Sequence, residues 1–165
     1  MKPVKLFVTF LGLGNLPKMP GTWGSLGAAI IYYAISLLLG PGTSLLITCL
    51  ALALLFSCLT IALGGLAERI YGKKDPSQVV TDEVAGYFLS VAMLVPVAPL
   101  AAGICAFFMF RLFDIVKPPP ARWIEKLKGG WGLTLDDIAA GIYACAASHA
   151  VFLFLLPGWI VQQAP

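Results

Sequence analysis

The sequence predicts an all-α fold, a polytopic transmembrane helical bundle of about four or five spans with short interfacial helices. Of its 165 residues, 59% are hydrophobic and only 12% are charged, whereas soluble domains carry about 25% charged residues. The mean hydropathy is +0.91, and so few polar side chains could not cover the surface of a small soluble domain. We therefore expect residues 1–165 to form a single membrane-embedded domain.

Net charge and cysteine spacing argue against a nucleic-acid-binding protein and against a cysteine metal site. A net charge of +3 is too small to favour nucleic-acid binding and fits a mild bias toward a membrane surface. The four cysteines lie inside apolar runs without metal-ligand spacing, so we interpret them as small buried hydrophobic residues. The first residues lack a small-residue cleavage site, so a cleaved signal peptide is not expected.

Apolar runs predict the first two spans. Residues 24–39 form the first span, and a Pro41-Gly42 turn separates it from residues 44–66. The second run is long enough to cross about 30 Å of hydrocarbon with some tilt. Residues 4–13 are too short to span, and we expect them to lie in the interface or to re-enter the membrane.

Residues 84–113 form an apolar block that is too long for one ordinary span, and Pro96 and Pro99 interrupt it. Proline removes a helix hydrogen bond and disfavours helix in the residue before it. The sequence therefore predicts a hairpin of two short helices, residues 84–95 and 99–113. One long kinked helix is the alternative.

Two elements are predicted after this hairpin. Residues 121–128 are expected to form a short helix on the membrane surface, with Trp123 toward lipid. The last span is expected over residues 138–156. Thr134 and Asp137 fit a capping box at its start.

The distribution of charge predicts the orientation. With a cytoplasmic N-terminus, five spans place the polar segments 68–83 and 114–137 on the cytoplasmic side. The outer connections at residues 41–43 and 96–98 then carry no charge, as the positive-inside rule requires. With four spans, one charged loop would move to the other side and this asymmetry would be lost.

The first polar cluster stands just before span one and contains Gly21, Thr22, Gly24 and Ser25. Glycine lets backbone N–H groups approach an anion, and a helix N-terminus favours negative charge. The cluster therefore suits phosphate binding. A plain helix start, with Trp23 as an interfacial anchor, is the simpler alternative.

Two pairs of acidic residues are expected at helix starts, Asp82 with Glu83 and Asp136 with Asp137. Carboxylates at a helix N-terminus suit the helix dipole, and that alone could explain them. Acidic side chains at a membrane boundary are also the oxygen ligands that a hard cation such as Mg²⁺ prefers. Both interpretations remain open from these residues alone.

Arg111, Asp114 and Lys117 form the remaining charged cluster. Arg111 and Asp114 share one helix face. Arg111 follows a run of phenylalanines, where an unpaired charge is costly and usually functional. Arginine and lysine could clamp a phosphate. The alternative is an arginine that reaches the interface and pairs with Asp114.

The predicted topology places all these clusters on one side of the membrane. Phosphoryl transfer requires charge neutralisation and alignment more than special side-chain chemistry, and Mg²⁺ usually takes carboxylates together with substrate phosphate oxygens. The clusters therefore predict a metal–phosphate site. Its candidate catalytic residues are Asp82, Glu83, Arg111, Asp114, Lys117, Asp136 and Asp137.

Four stretches of the chain, in this order and spacing, resemble the phosphatidylglycerophosphatase A family: residues 20–25, 81–86, 110–120 and 130–141. The resemblance implies a bacterial inner-membrane lipid phosphatase with its site on the cytoplasmic face. Such an enzyme would hydrolyse phosphatidylglycerophosphate to phosphatidylglycerol and phosphate with Mg²⁺. Its partners would be the lipid substrate and the bilayer, and the sequence does not give an oligomeric state.

On this hypothesis each cluster has a role. Some of the four paired acids, Asp82, Glu83, Asp136 and Asp137, would bind Mg²⁺. The phosphate would be held by Gly21, Thr22, Gly24, Ser25, Arg111 and Lys117. Asp82 or Asp137 would orient the attacking water, and a covalent phospho-aspartate or phospho-threonine route remains open.

Three other functions could be considered for such a chain: a small transporter, a phospholipid-synthesising transferase and a phosphatase for another phospholipid. A small transporter would need polar residues deep in the spans, but the charges stop at one edge. A phospholipid-synthesising transferase would carry a longer array of aspartates with D-G-x-x-A-R, which this chain lacks. A phosphatase for another phospholipid would share the same site.

Overall fold

The computed structural model describes residues 2–94, 97–127 and 129–155, and no β-strand occurs among them. The predicted all-α class is confirmed. The helices, in chain order, are α1 Lys2–Val8, α2 Pro20–Leu39, α3 Thr43–Tyr71, α4 Thr81–Ala92, α5 Pro99–Val116, α6 Ala121–Ile124 and α7 Gly130–Ala150. A turn of 3₁₀-helix, Leu13–Asn15, precedes α2, and a π-helical turn, Val151–Leu155, continues α7.

Among the described residues, four helices are long and apolar enough to cross a membrane: α2, α3, α5 and α7. Their outward faces carry exposed large apolar side chains, such as Leu38, Leu54 and Phe108. In a membrane these side chains contact lipid, which removes the cost that water would impose. The chain is therefore a membrane protein with several spanning helices.

Helix α4 is the short central element of the bundle. Its 12 residues rise about 18 Å, less than the hydrocarbon thickness of about 30 Å. Ten of these 12 residues are buried, mainly against α3 and α7. At its start, Thr60 of α3 donates a buried 2.7 Å hydrogen bond to Thr81. The helix predicted over residues 84–95 has the expected length but starts three residues earlier, at Thr81, and Val95 lies outside the described residues.

Helices α4 and α5 form the predicted hairpin, and the alternative of one long kinked helix is wrong. Helix α4 ends at Ala92, and α5 begins at Pro99. Gly86 packs against Phe110, and Tyr87 donates a hydrogen bond of 3.3 Å to the carbonyl of Gly103. The chain therefore returns to the end of the bundle from which α4 started. The sequence indicated that only five spans would keep the charged segments on one side of the membrane. Four long spans have the same effect here, because the short α4 enters the bundle and α5 returns to the same end.

Helix α7 begins at Gly130, eight residues before the predicted start. Thr134 and Asp137 lie inside the helix, so the predicted capping box is wrong. A β-carbon on Gly130 would lie 2.6 Å from backbone atoms of Ile61. This close approach of α7 to α3 stabilises helix where glycine alone disfavours it.

The short N-terminal and interfacial helices also differ from their predicted bounds. Helix α1 packs against α3, and the carbonyl of Val8 accepts a 2.9 Å hydrogen bond from the Val80 amide. The predicted surface helix at residues 121–128 is reduced to α6, with Trp123 65% exposed. Lys128 and the last residue of the predicted final span lie outside the described residues.

Candidate active site

All eight acidic residues of the chain line one cavity at an end of the bundle. The cavity has a volume of about 290 Å³. Among the described residues, three basic side chains join the acids in its wall, namely Lys74, Arg111 and Lys117. Confined carboxylates are unfavourable unless cations or hydrogen bonds balance them. The excess of negative charge therefore points to a cation-binding cavity.

Three of these acids converge. Asp82 and Glu83 lie in the first turn of α4, and Asp137 lies in the second turn of α7. One carboxylate oxygen from each lies within 4.8 Å of the others. A β-carbon on Gly86 would lie 2.7 Å from the Asp137 carbonyl oxygen, so glycine permits the close packing of α4 and α7. We call Asp82, Glu83 and Asp137 the acidic triad.

Burial makes it energetically costly for the acidic triad to carry uncompensated negative charge. Burial raises the pKa of Glu83 to about 7. Burial and the adjacent Glu83 charge raise the pKa of Asp82 well above its ordinary value. Within the described part of the chain, the buried Oε2 atom of Glu83 has no hydrogen-bond partner. Three largely buried carboxylates whose charge is uncompensated suit a hard divalent cation, which prefers oxygen ligands and would neutralise them.

Arg111 lies beside the triad, in the last two turns of α5. Its Nη1 atom is 2.6 Å from Oδ2 of Asp114, as the three-residue spacing predicted. This ion pair lacks hydrogen-bond geometry, and the buried Nε and Nη1 groups find no hydrogen-bond acceptor among the described residues. Asp114 thus holds the guanidinium in place while donors remain available for an anion.

Gly21 closes the cavity from the N-terminal turn of α2. A β-carbon here would overlap Oε1 of Glu83 and lie 2.9 Å from Nη1 of Arg111. Any side chain at this position would enter the space between the acidic triad and the guanidinium. The structure therefore brings Gly21 into the site, as the sequence predicted.

The other predicted phosphate-binding residues of α2 do not line this cavity. Ser25 is buried and donates a 2.9 Å hydrogen bond to the carbonyl of Gly21. A β-carbon on Gly24 would lie 2.7 Å from Cβ of Val80, so Gly24 serves helix packing. The Thr22 hydroxyl is buried and has no hydrogen-bond partner within the described residues.

Lys117 follows α5 directly and also lines the cavity. Its Nζ atom is 2.7 Å from Oδ2 of Asp136 and 3.4 Å from Oε2 of Glu125. Burial alone would lower the pKa of Lys117, but the hydrogen bond to Asp136 and the nearby acidic charges raise it. Lys117 therefore remains a cation, held mainly by Asp136.

Whereas Asp137 belongs to the acidic triad, Asp136 pairs with Lys117. One of its oxygens is engaged by Lys117, while Oδ1 is buried and lacks a partner among residues that the structure describes. It lines the cavity but stands outside the acidic triad. Its predicted role as a metal ligand stays a prediction.

Sequence reasoning missed part of the cavity wall. Glu68, Lys74, Asp75 and Glu125 line it, although none was singled out as a site residue. Lys74 donates a 3.4 Å hydrogen bond to the carbonyl of Glu125, and the Asp75 amide donates one of 3.4 Å to Glu68. The available signal was the predicted topology, which put these polar segments on the same side as the candidate site.

Comparison with known proteins identifies the family. The sequence profile of phosphatidylglycerophosphatase A matches residues 6–152, which is most of the chain. The chain belongs to the phosphatidylglycerophosphatase A family. No solved structure matches it. The resemblance seen in the four sequence stretches is thereby confirmed, and the family is one of enzymes, so the acidic cavity is its candidate active site.

Individual relatives cover nearly the whole chain. A phosphatidylglycerophosphatase A from Haemophilus influenzae is 35% identical over 157 residues, covering 94% of this chain and 93% of that protein. Phosphatidylglycerophosphatase A from Escherichia coli is 31% identical, covering 90% and 83%. A Bacteroides thetaiotaomicron protein, provisionally named a phosphatidylinositol-3-phosphatase, is 43% identical, covering 84% and 87%.

Proposed function

We propose that this protein is a Mg²⁺-dependent lipid phosphatase that hydrolyses phosphatidylglycerophosphate to phosphatidylglycerol and phosphate. Membership of the phosphatidylglycerophosphatase A family supports the reaction, as do the two relatives that carry its name. The observation that carries the proposal is the acidic triad beside Arg111 in one cavity. That combination binds a divalent cation and a phosphate together.

The acidic triad fits Mg²⁺ by its chemistry. It offers three carboxylates whose oxygens converge within 4.8 Å, and Oε2 of Glu83 is buried without a partner among the described residues. When bound, Mg²⁺ would neutralise phosphate charge and favour ionisation of an attacking water. Asp82, Glu83 and Asp137 would hold it.

Arg111 and Lys117 bind the phosphate in this proposal. The unengaged guanidinium donors of Arg111 would bind non-bridging phosphate oxygens, because a phosphate accepts such charge-assisted hydrogen bonds strongly. Asp114 keeps the guanidinium oriented through its 2.6 Å contact. Lys117 supplies a second positive charge from the same cavity wall.

The hydrolytic step follows from these positions. A water oxygen bonds to phosphorus while the bond from phosphorus to the glycerol oxygen breaks. Asp82 or Asp137 accepts the water proton and passes it, directly or through a water molecule, to the glycerol oxygen, which leaves as the hydroxyl of phosphatidylglycerol. In a covalent variant of this route, an aspartate of the cavity would first take the phosphoryl group as the glycerol oxygen departs, and water would then release phosphate from it. Trapping of a phospho-enzyme would reveal this route.

The location of the site suits a lipid substrate. The charges lie at one end of four long apolar helices, so the phosphate can bind at headgroup level while the acyl chains stay in the bilayer. The positive-inside rule favours the cytoplasmic face of a bacterial inner membrane for this end.

Phosphate release by the detergent-purified protein tests the substrate. We expect a kcat/KM for phosphatidylglycerophosphate at least about tenfold above that for phosphatidylinositol 3-phosphate with the same chains. The name of the Bacteroides relative favours the second lipid as an alternative substrate, and the reverse preference would support it. A folded protein that releases phosphate from neither lipid would overturn the proposal.

A further inference from the structure

A second cavity, of about 370 Å³, lies between the spanning helices α2 and α5. Its wall is almost entirely apolar. Leu26, Ala29 and Tyr33 line it from α2, and Leu100, Ile104 and Phe108 line it from α5. We call this cavity the α2–α5 groove.

The groove continues from the active site along the same pair of helices. On α5, Ile104, Phe108, Arg111 and Ile115 follow one another at helical spacing and share one face. The first two line the groove, and the last two line the active-site cavity. At that junction Gly21 of α2 approaches Arg111 closely, so α2 and α5 border both spaces.

The two helices also remain in contact beyond the junction. A β-carbon on Gly103 would lie 3.2 Å from the ring of Tyr32. The stretch from Leu100 to Phe108 rises about 12 Å along the helix axis. One leaflet of hydrocarbon is about 15 Å deep, which is half of the whole core. The groove thus begins about one helical turn from Arg111 and runs away from the charged end over a length close to that of one leaflet.

We propose that the α2–α5 groove holds an acyl chain of the lipid whose phosphate occupies the active site. This inference rests on the proposed function. The occupant is a lipid chain because the groove is apolar, lies in a face that contacts the bilayer, and leads directly to an anion-binding end. Binding of the chain selects phospholipids over water-soluble phosphomonoesters with the same headgroup.

Selectivity for chain length tests the groove. Ala29→Phe would fill it from α2, and Ile104→Trp from α5, where Ile104 is 51% exposed and tolerates a larger side chain. Ile47→Trp on α3, at a position 60% exposed, is the control outside the groove. The substrates are phosphatidylglycerophosphate with oleoyl chains and with hexanoyl chains.

We expect both groove variants to lower the ratio of long-chain to short-chain kcat/KM by about tenfold, because apolar contact with the chain is lost. Hydrolysis of the short-chain substrate should be unchanged, and Ile47→Trp should match the parent protein. An unchanged ratio in Ile104→Trp would overturn the inference.

A measurement independent of turnover separates this inference from the proposed reaction. A phosphonate analogue of phosphatidylglycerophosphate, with a photoreactive diazirine in one chain, is cross-linked to the protein, and phosphatidylglycerol with the same chain is the comparison lipid. Labelling of α2 and α5 groove residues should be stronger with the phosphonate and should fall in Ile104→Trp. Equal labelling by the two lipids would overturn the inference that the groove holds the acyl chain of the substrate. Selective labelling without phosphate release would support the groove and contradict the proposed reaction.

Discussion

A β-carbon on Gly21 would overlap the Oε1 atom of Glu83, although the two residues lie on different helices. It would also lie 2.9 Å from Nη1 of Arg111. Packed interiors accommodate such overlap only by moving the atoms involved. The absence of a side chain at Gly21 therefore sets the spacing between Glu83 of the acidic triad and the Arg111 guanidinium.

Gly21→Ala tests this spacing. We expect kcat/KM to fall by at least about tenfold, because the methyl group displaces Glu83 or Arg111 from its catalytic position. Gly65→Ala is the matched control, since a β-carbon at Gly65 meets no atom within 4 Å. Its activity should equal that of the parent protein. Parental kcat/KM in Gly21→Ala would show that the close contact has no catalytic consequence.

Arg111→Lys keeps the positive charge and removes the planar guanidinium. We expect kcat to fall by about 100-fold, because a lysine cannot reproduce donors positioned by Asp114. Arg122 lies on the exposed surface, and Arg122→Lys controls for the substitution itself. Steady-state kinetics on phosphatidylglycerophosphate measure the difference. Equal losses in both variants would argue against a phosphate contact by Arg111.

The acidic triad should bind metal independently of catalysis. We expect Asp82→Asn and Asp137→Asn each to weaken Mg²⁺ binding by at least about tenfold, as loss of a charged ligand does. Isothermal titration calorimetry on the purified variants measures the affinity. Glu125→Gln is the control, because the Glu125 side chain is 43% exposed and lies only at the rim, 3.4 Å from Lys117. A metal affinity that the triad substitutions leave unchanged would place the ion elsewhere.

The hydrogen bond from Thr60 to Thr81 should stabilise the end of α4 that carries the triad. Thr60→Val removes the donor and leaves the Thr81 hydroxyl buried without it. We expect the free energy of unfolding to fall by about 1 kcal/mol, seen as a lower unfolding temperature in detergent. Thr60→Ser retains the hydroxyl and should unfold like the parent protein. An unfolding temperature of Thr60→Val equal to that of the parent protein would show that this hydrogen bond does not contribute to stability.

The positions of the helices could largely be predicted from hydropathy and proline, but their ends could not. Pro96 and Pro99 correctly indicated a hairpin. The start of α7 was missed because Gly129, Gly130 and Gly132 are typical of a loop, whereas packing of Gly130 against Ile61 stabilises helix there. Such tertiary contacts are not visible in a local pattern.

The site could be predicted to the extent that topology gathers charge at one end. Arg111 and Asp114 form the ion pair that their spacing indicated, and Asp82, Glu83 and Asp137 converge. Which residues of a cluster enter the site and which make contacts within the protein could not be predicted, because this depends on the direction of each side chain. Asp136 turns to Lys117, and Ser25 turns to the Gly21 carbonyl.

The most direct test measures phosphate release from phosphatidylglycerophosphate by the parent protein and Asp137→Asn, with Mg²⁺ and with excess EDTA. We expect the parent protein to release phosphate, EDTA to stop it, and added Mg²⁺ to restore it. Asp137→Asn should release none while retaining the parental unfolding temperature. Release that continues in EDTA, or full activity of Asp137→Asn, would contradict a metal-dependent reaction at the acidic triad.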